Sequence, residues 1–394
     1  MRILFSSTWG FGHVFPMVPL AKALTGAGHE VLWATSSDAG DLVASAGLDV
    51  LPAGLAGDEL AELRCRLGAL ASDVAPVQRA AFMYPRLFGE GATPPMVADL
   101  LPLARDWRPD LLVHEQGELA APLVGALLGV PVVAHSFGGA VPAELIADAG
   151  ERLAPLWAQH GLTIPPHAGC FISAYLDICP PEVQSVPLGH LARVQPLRPV
   201  PYTGEESGAL PACIEDGGPP LVYLTLGTVQ NRSPVLRAAV QALADLPIRV
   251  LVTVGPDGDA DALGSQPPHV TVERWVPQTQ ALPHCAVVVS HAGSGTFLGT
   301  LAQGLPQLCL PQAADQFRNA QGGLRSGAAL ALNPPDATAS AIAEAVRRLL
   351  DEESFRSAAG RVAEAIREMP SPAEVVAVLE QIAGSDAREA ALRP

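Results

Sequence analysis

Residues 275–320 read WVPQTQALPHCAVVVSHAGSGTFLGTLAQGLPQLCLPQAADQFRNA, and their pattern decides the architecture. A short apolar run at 286–289 reads as a buried strand leading into His291. Gly293, Ser294, Gly295 and Thr296 then open a helix. A second apolar run lies at 307–310, and Asp315 and Gln316 stand where the next helix begins. Strand, helix, strand, helix in that order builds a parallel sheet covered by helices, an α/β fold.

Working outward, runs at 221–226, 250–254, 270–273, 287–291 and 307–310 form one series of strands with helix-patterned intervals. Runs at 3–6, 31–34, 48–51, 111–114 and 130–135 form an equivalent series in the first half. Between the two halves, 197–220 is dense in Pro, Gly and acidic residues without apolar periodicity, and reads as an exposed linker. The predicted organisation is therefore a first α/β domain at 1–196, a linker at 197–220, a second α/β domain at 221–375, and a C-terminal helix and tail at 376–394. A length of 394 residues suits two domains, since single cores stop growing at about 250 to 300 residues. Past residue 337 the pattern is helical, with a break expected near Asp351 and one more helix after Pro370 running to about Ala383.

Composition narrows the partners. Lys and Arg number 24 against 40 Asp and Glu, a net charge of −16 that repels nucleic acid and anionic membrane surfaces. No apolar stretch approaches the ~20 residues of a membrane span. The N-terminal MRILFSS passes directly into patterned sequence and reads as a first strand rather than a signal peptide, so a soluble, cytoplasmic protein is expected. Six cysteines are scattered without a C-x-x-C pair, which predicts buried free thiols rather than zinc ligands or disulfides.

Three segments carry chemistry. In STWGFGHVFPMVPLAKAL (residues 7–24), Gly10 and Gly12 allow a tight turn after the first strand, and a helix is expected from Phe15 or Pro16. Phe15 occupies the third glycine position of a dinucleotide fingerprint, which weakens a dehydrogenase reading. His13 stands at the carboxyl end of the first strand, where it is either a proton acceptor or a helix cap. In PDLLVHEQGE (109–118), Glu115 reaches the same edge. There it either holds the His13 ring in one tautomer or complements a helix dipole.

The third segment is the opening one. Its helix start at Gly293, Ser294, Gly295 and Thr296 offers backbone N–H groups and hydroxyls to a diphosphate, with the His291 imidazole alongside. A P-loop is excluded because that turn has no Lys. Asp315 and Gln316 supply acceptor and amide groups suited to sugar hydroxyls, and Trp275 either stacks on a nucleobase or belongs to the core.

Taken together and in order, these segments resemble the GT-B glycosyltransferases of the plant secondary-product and bacterial natural-product type, which act on macrolide and polyketide antibiotics. Gly12, His13 and Pro16 match the family's G-H-x-x-P turn, which implies that His13 is the base, with Glu115 where the family usually has a supporting Asp. The LTLGT turn implies that Thr228 lies near the β-phosphate. Trp275, Pro277 and Gln278 match W-x-P-Q, with the Val276 backbone implied to read the base edge. His291 is implied to contact phosphate, and Asp315 and Gln316 to grip the sugar.

Two positions depart from the pattern: Ser290 replaces a second His found in many bacterial relatives, and Gly299 replaces the plant signature's ribose-binding Glu. The second departure favours a thymidine diphosphate (dTDP) donor over a uridine one.

The resemblance implies two Rossmann-like domains with parallel sheets facing a central cleft. It implies inverting transfer of a deoxysugar to a small natural-product aglycone, with a nucleotide sugar as co-substrate and neither cofactor nor metal. It leaves a homodimer open. Trp9, Phe11, Phe82, Met83, Tyr84 and Phe88 are the candidate acceptor lining. The rival readings are a nucleotide-sugar epimerase on the same fold and a non-catalytic glycosyltransferase-like binding partner.

Overall fold

The computed structural model describes residues 1–204, 210–215, 217–227, 234–256 and 258–391. They divide into two compact units: Met1–Cys179 with Val186–Arg198 and Met369–Pro394, and Pro180–Ser185 with Pro199–Glu368.

The first unit holds seven strands, β1 Arg2–Ser6, β2 Glu30–Thr35, β3 Asp49–Pro52, β4 Leu111–Glu115, β5 Val132–His135, β6 Ala174–Asp177 and β7 Val194–Pro196. They form one parallel sheet in the order β3-β2-β1-β4-β5-β6-β7. β4 and β5 are buried at every position, as a strand covered by helices on both faces must be. The order reverses between β1 and β4, where Ser6 pairs with His114. Open parallel sheets bind ligands at the carboxyl ends of strands flanking such a reversal.

The second unit repeats the plan with β8 Leu221–Thr225, β9 Arg249–Thr253, β10 Val270–Glu273, β11 Val287–Ser290, β12 Gln307–Cys309 and β13 Ala329–Ala331. Their parallel order, β10-β9-β8-β11-β12-β13, reverses between β8 and β11. The expected strands are present with edges shifted by a few residues. Three further strands, β6, β7 and β13, do not stand out from the sequence.

Several local expectations change. The first helix starts at Phe11, not at Phe15 or Pro16, so His13 lies within a four-residue turn, Phe11–Val14, ahead of the longer helix Val18–Gly26. Gly10, at φ 91°, supplies the left-handed entry that makes this early start possible. The last helix spans Pro372–Ala391, longer than expected, and packs on Val18–Gly26, with His29 Nε2 3.1 Å from Glu380 Oε1. Within 197–220 a short helix, Ala212–Glu215, buries Ile214 beside Leu221, Tyr223 and Val288. All six cysteines are free, but Cys65 is exposed and Cys213, packed at the edge of the Ile214 cluster, is half-buried. Among the described residues no helix is long and apolar enough to cross a membrane.

Helix Ala121–Leu128 lies so close to the sheet that Gly125 has no room for a side chain: an added Cβ would fall 2.2 Å from Val132 Cγ2 and 2.8 Å from Val130 O. Gly125→Ala is therefore expected to lower the unfolding free energy by about 1 to 3 kcal/mol, the usual range for overpacking. Urea denaturation measures it, and an unchanged midpoint would contradict this packing.

Candidate active site

In the first unit, the reversal point brings together the ends of β1 and β4. Glu115 is wholly buried, and its carboxylate is met by donors from separate segments. Thr8 donates to Oε1 from its backbone N–H at 3.1 Å and from its hydroxyl at 2.7 Å, and the Gly117 N–H donates to Oε2. His13 Nδ1 lies 3.1 Å from Oε1. Burial pushes the carboxyl pKa up, but the His13 imidazole, the Gly117 N–H and the Thr8 hydroxyl outweigh it and hold the group below its ordinary value.

The competing role foreseen for Glu115, a carboxylate at a helix start, falls to Glu118. Its oxygens accept from Ala120 N at 2.6 Å, from Ala121 N at 3.2 and 3.3 Å, and from Ser6 Oγ at 2.7 Å. Burial pushes the Glu118 pKa up.

Aromatic rings surround His13 unevenly. Phe88 lies 5.5 Å from it between ring centres and Phe137 5.2 Å, with Trp9 stacked on Phe88 at 6.0 Å and Tyr84 at 5.3 Å. Thr8, Trp9, Phe88, Met96 and Gly117 line a small open depression. Of the other foreseen lining residues, Phe11 packs edge-on against Phe15, and Phe82 lies under the Arg86 guanidinium at 4.0 Å. Met83 is half-buried beside Tyr84 in the same helix. Phe137 and Thr8 escaped the sequence reading, although both follow strands at the carboxyl edge, which is the signal that would have found them.

The second unit places its groups at the equivalent reversal. Helix Ser294–Ala302 begins directly after Gly293, so its first N–H groups face outward from the end of β11. The His291 ring packs on two glycines: a Cβ on Gly227 would lie 2.6 Å from its Cε1, and one on Gly293 2.4 Å from its Nε2. Part of the residue stays exposed, while Nδ1 is buried and has no hydrogen-bond partner among the described residues. Burial lowers the ring's pKa to about 4, so it is a neutral imidazole at pH 7, although Asp315 pulls the other way.

Ser294 Oγ donates to Asp315 Oδ2 at 2.6 Å, and Asn319 Nδ2 reaches the same oxygen at 3.1 Å. Gln316 turns its amide oxygen back to the N–H groups of Gln312 and Ala313, at 2.7 and 2.9 Å. Gln278 bridges Thr296 Oγ1 at 3.2 Å and the Tyr223 hydroxyl at 3.3 Å. Val276 is buried, Trp275 is 37% exposed beside it, and Gly295 is exposed on the first turn of the helix. Thr228 lies outside the described residues. Ala292 and Ala314, beside His291 and Asp315, hold left-handed φ values of 61° and 53°, a strain that clusters at functional sites. Asn319 and Tyr223 were not foreseen; Asn319 was findable as the residue one helical turn after Asp315.

His135 of β5 pairs with Glu115 of β4 and is wholly buried, with Nδ1 against the Ser136 carbonyl and Nε2 without a partner among the described residues. Burial lowers its pKa to about 4, against about 6.5 for an unfolded histidine. Between these values the unfolded chain binds the extra proton, so stability present above about pH 6.5 is lost as pH falls toward 4, by up to about 1.4 kcal/mol per pH unit. Urea titrations from pH 4.5 to 7.5 on wild type and His135→Gln should show a shallower pH slope in the variant. Equal slopes would mean that His135 does not titrate in this way.

Comparisons with known proteins agree with this geometry. Models of the erythromycin biosynthesis protein CIII-like N-terminal and C-terminal domains match residues 22–207 and 237–382. The elloramycin glycosyltransferase ElmGT of Streptomyces olivaceus is 36% identical, covering 98% of this chain and 98% of its own. Among solved structures, glycosyltransferase VinC in complex with dTDP superposes with a TM-score of 0.82 at 28% identity, over 98% of this chain and 100% of that one. SsfS6 from Streptomyces sp. SF2575, complexed with thymidine diphosphate, gives 0.78 at 31% identity, over 97% and 99%. The fold is thus GT-B, and the chain belongs to the erythromycin biosynthesis protein CIII-like family of macrolide and polyketide antibiotic glycosyltransferases.

Proposed function

We propose that this chain is an inverting, metal-independent glycosyltransferase that moves a deoxysugar from dTDP onto a hydroxyl of a small polyketide-type aglycone. The observation that carries the reading is the 3.1 Å contact between His13 Nδ1 and a buried, ionised Glu115. With Nδ1–H held by the carboxylate, Nε2 carries the lone pair, and the imidazolium formed on proton uptake is stabilised. His13 thus deprotonates the acceptor hydroxyl, whose oxygen attacks the anomeric carbon and inverts it. Trp9, Phe88 and Phe137 give the acceptor an apolar surface beside the base.

The second unit holds the donor. As the bond to the sugar breaks, negative charge on the departing diphosphate is met by N–H groups at the start of helix Ser294–Ala302, its dipole, and the N–H of a neutral His291. Asp315 and Gln316 take the sugar hydroxyls, and Trp275 with the Val276 backbone takes the base. VinC and SsfS6 were crystallised with thymidine diphosphate, which supports the choice of nucleotide. A homodimer and a cytoplasmic location, like the division at 1–196, 197–220, 221–375 and 376–394, belong to the same proposal.

His13→Ala is expected to reduce transfer to an alcohol about 10²- to 10⁴-fold, while calorimetric affinity for dTDP stays unchanged. An undiminished rate would remove His13 from the role of base.

Donor choice turns on Gly299. A Cβ there would meet Leu282 Cδ1 at 3.6 Å and Pro201 Cγ at 3.7 Å, ordinary contacts, so packing does not require glycine at this position. A ribose-binding carboxylate in its place would lose its partner when the 2′-hydroxyl is missing, at a cost of about 1 to 3 kcal/mol. Wild type is therefore expected to bind thymidine diphosphate more tightly than uridine diphosphate in competition, and Gly299→Glu to shift toward uridine. A wild-type preference for uridine would refute the assignment.

A further inference from the structure

Acceptors from three different places converge on one buried amide. Asn319, in helix Gln316–Ser326, donates through Nδ2 to Ala292 O at 2.9 Å, Ser294 Oγ at 3.0 Å and Asp315 Oδ2 at 3.1 Å. Ser294 Oγ passes its own proton to the same Asp315 oxygen at 2.6 Å. The amide has two N–H bonds, so one serves Ala292 and the other is shared by Ser294 and Asp315. A carbonyl and a carboxylate are both pure acceptors, and only a donor can stand between them.

The arrangement has two consequences. Oδ2 of Asp315 is fully engaged and the carboxylate plane is fixed; among the described residues Oδ1 has no hydrogen-bond partner. The left-handed Ala292 is held from both sides, its N–H by Ser290 Oγ at 3.0 Å and its carbonyl by Asn319. The turn that carries His291 and the carboxylate that follows β12 are thereby tied through one side chain.

We propose that Asn319 is a positioning residue of the donor site, which fixes the Asp315 carboxylate relative to the His291 turn so that Oδ1 accepts a hydroxyl of the sugar carried by the diphosphate. The proposal rests on the reading that Asp315 holds that sugar, and adds the residue that orients it. Asn319 does not touch the donor itself; it acts through Asp315.

The test compares thymidine diphosphate with a panel of thymidine-diphospho-hexoses by calorimetry, on wild type, Asn319→Ala, Ser294→Ala, Asp315→Ala and the double variant Asn319→Ala with Asp315→Ala. The quantity read is the ratio of the dissociation constants of sugar-bearing and bare diphosphate. Asp315→Ala should shift it about tenfold against the sugar, as loss of a hydrogen bond to a charged group does. Asn319→Ala should shift it the same way, up to about tenfold, and add nothing in the double variant.

A merely structural amide would weaken both ligands alike or act additively with Asp315→Ala, and either result overturns the proposal. If Asn319→Ala does not fold, Ser294→Ala decides: a smaller shift in the same direction supports the network, and an unchanged ratio overturns it. An unchanged ratio in Asp315→Ala instead refutes the sugar-holding role of Asp315, which separates failure of that reading from failure of the Asn319 proposal.

Discussion

The first unit is organised around a single electrostatic requirement, an ionised carboxylate removed entirely from water. An isolated buried charge is prohibitively unfavourable, so the Glu115 carboxylate must be surrounded by donors. Thr8 brings two of them from the end of β1, Gly117 brings one from the turn after β4, and His13 brings its ring from the short Phe11–Val14 turn. These groups meet because β1 and β4 are neighbours at the reversal of strand order. The early helix start at Phe11, entered through left-handed Gly10, turns the imidazole toward the carboxylate. With Glu118 capping the next helix, Glu115 is free of that task, and its compensation ends on the His13 ring.

The second unit solves a different problem at the same place in the same kind of sheet. Here backbone conformation shares the task with a partly exposed carboxylate, Asp315. Two alanines in left-handed conformation re-aim the chain beside His291 and Asp315, and two glycines leave room for the imidazole to lie against the backbone. Strain of this kind persists only where neighbouring bonds hold it, and Ser290 and Asn319 do so on either side of Ala292. The result is a helix start, a neutral imidazole and a hydrogen-bonded carboxylate gathered at one strand end.

Much of this was legible in the sequence because it depends on local order. Apolar runs such as 287–289 and 111–113 are short and uninterrupted, as strands covered on both faces have to be, and the turns after them mark where ligand groups gather. The strands β6, β7 and β13, which read AYLD, VQP and ALA, were not legible because they lack the runs of β-branched residues that mark strands of the same length elsewhere. The start of the first helix was misjudged because Pro16 looks like a helix opener, whereas left-handed Gly10 admits a turn five residues earlier. The aromatic residues near the first site were only half legible: Trp9, Tyr84 and Phe88 stood out together with Phe11 and Phe82, but nothing local marked Phe88 as the ring beside His13 or pointed to Phe137 at all.

What the sequence by itself determined is the two-fold α/β plan, the family, and the identity of the polar groups at the strand ends, since each follows from residues adjacent in the chain. The resemblance pointed to Glu115 as the partner of His13 but left a helix-start role open, and the tertiary structure gave that role to Glu118. The two carboxylates are three residues apart, and their partners separate them: Thr8, Gly117 and His13 meet Glu115, whereas Ser6, Ala120 and Ala121 meet Glu118. The tertiary structure also decided that Asn319 joins Asp315 to the His291 turn. Long-range pairings of this kind are set by how strands order themselves in the sheet, and that order is a property of the packed chain rather than of any segment in it.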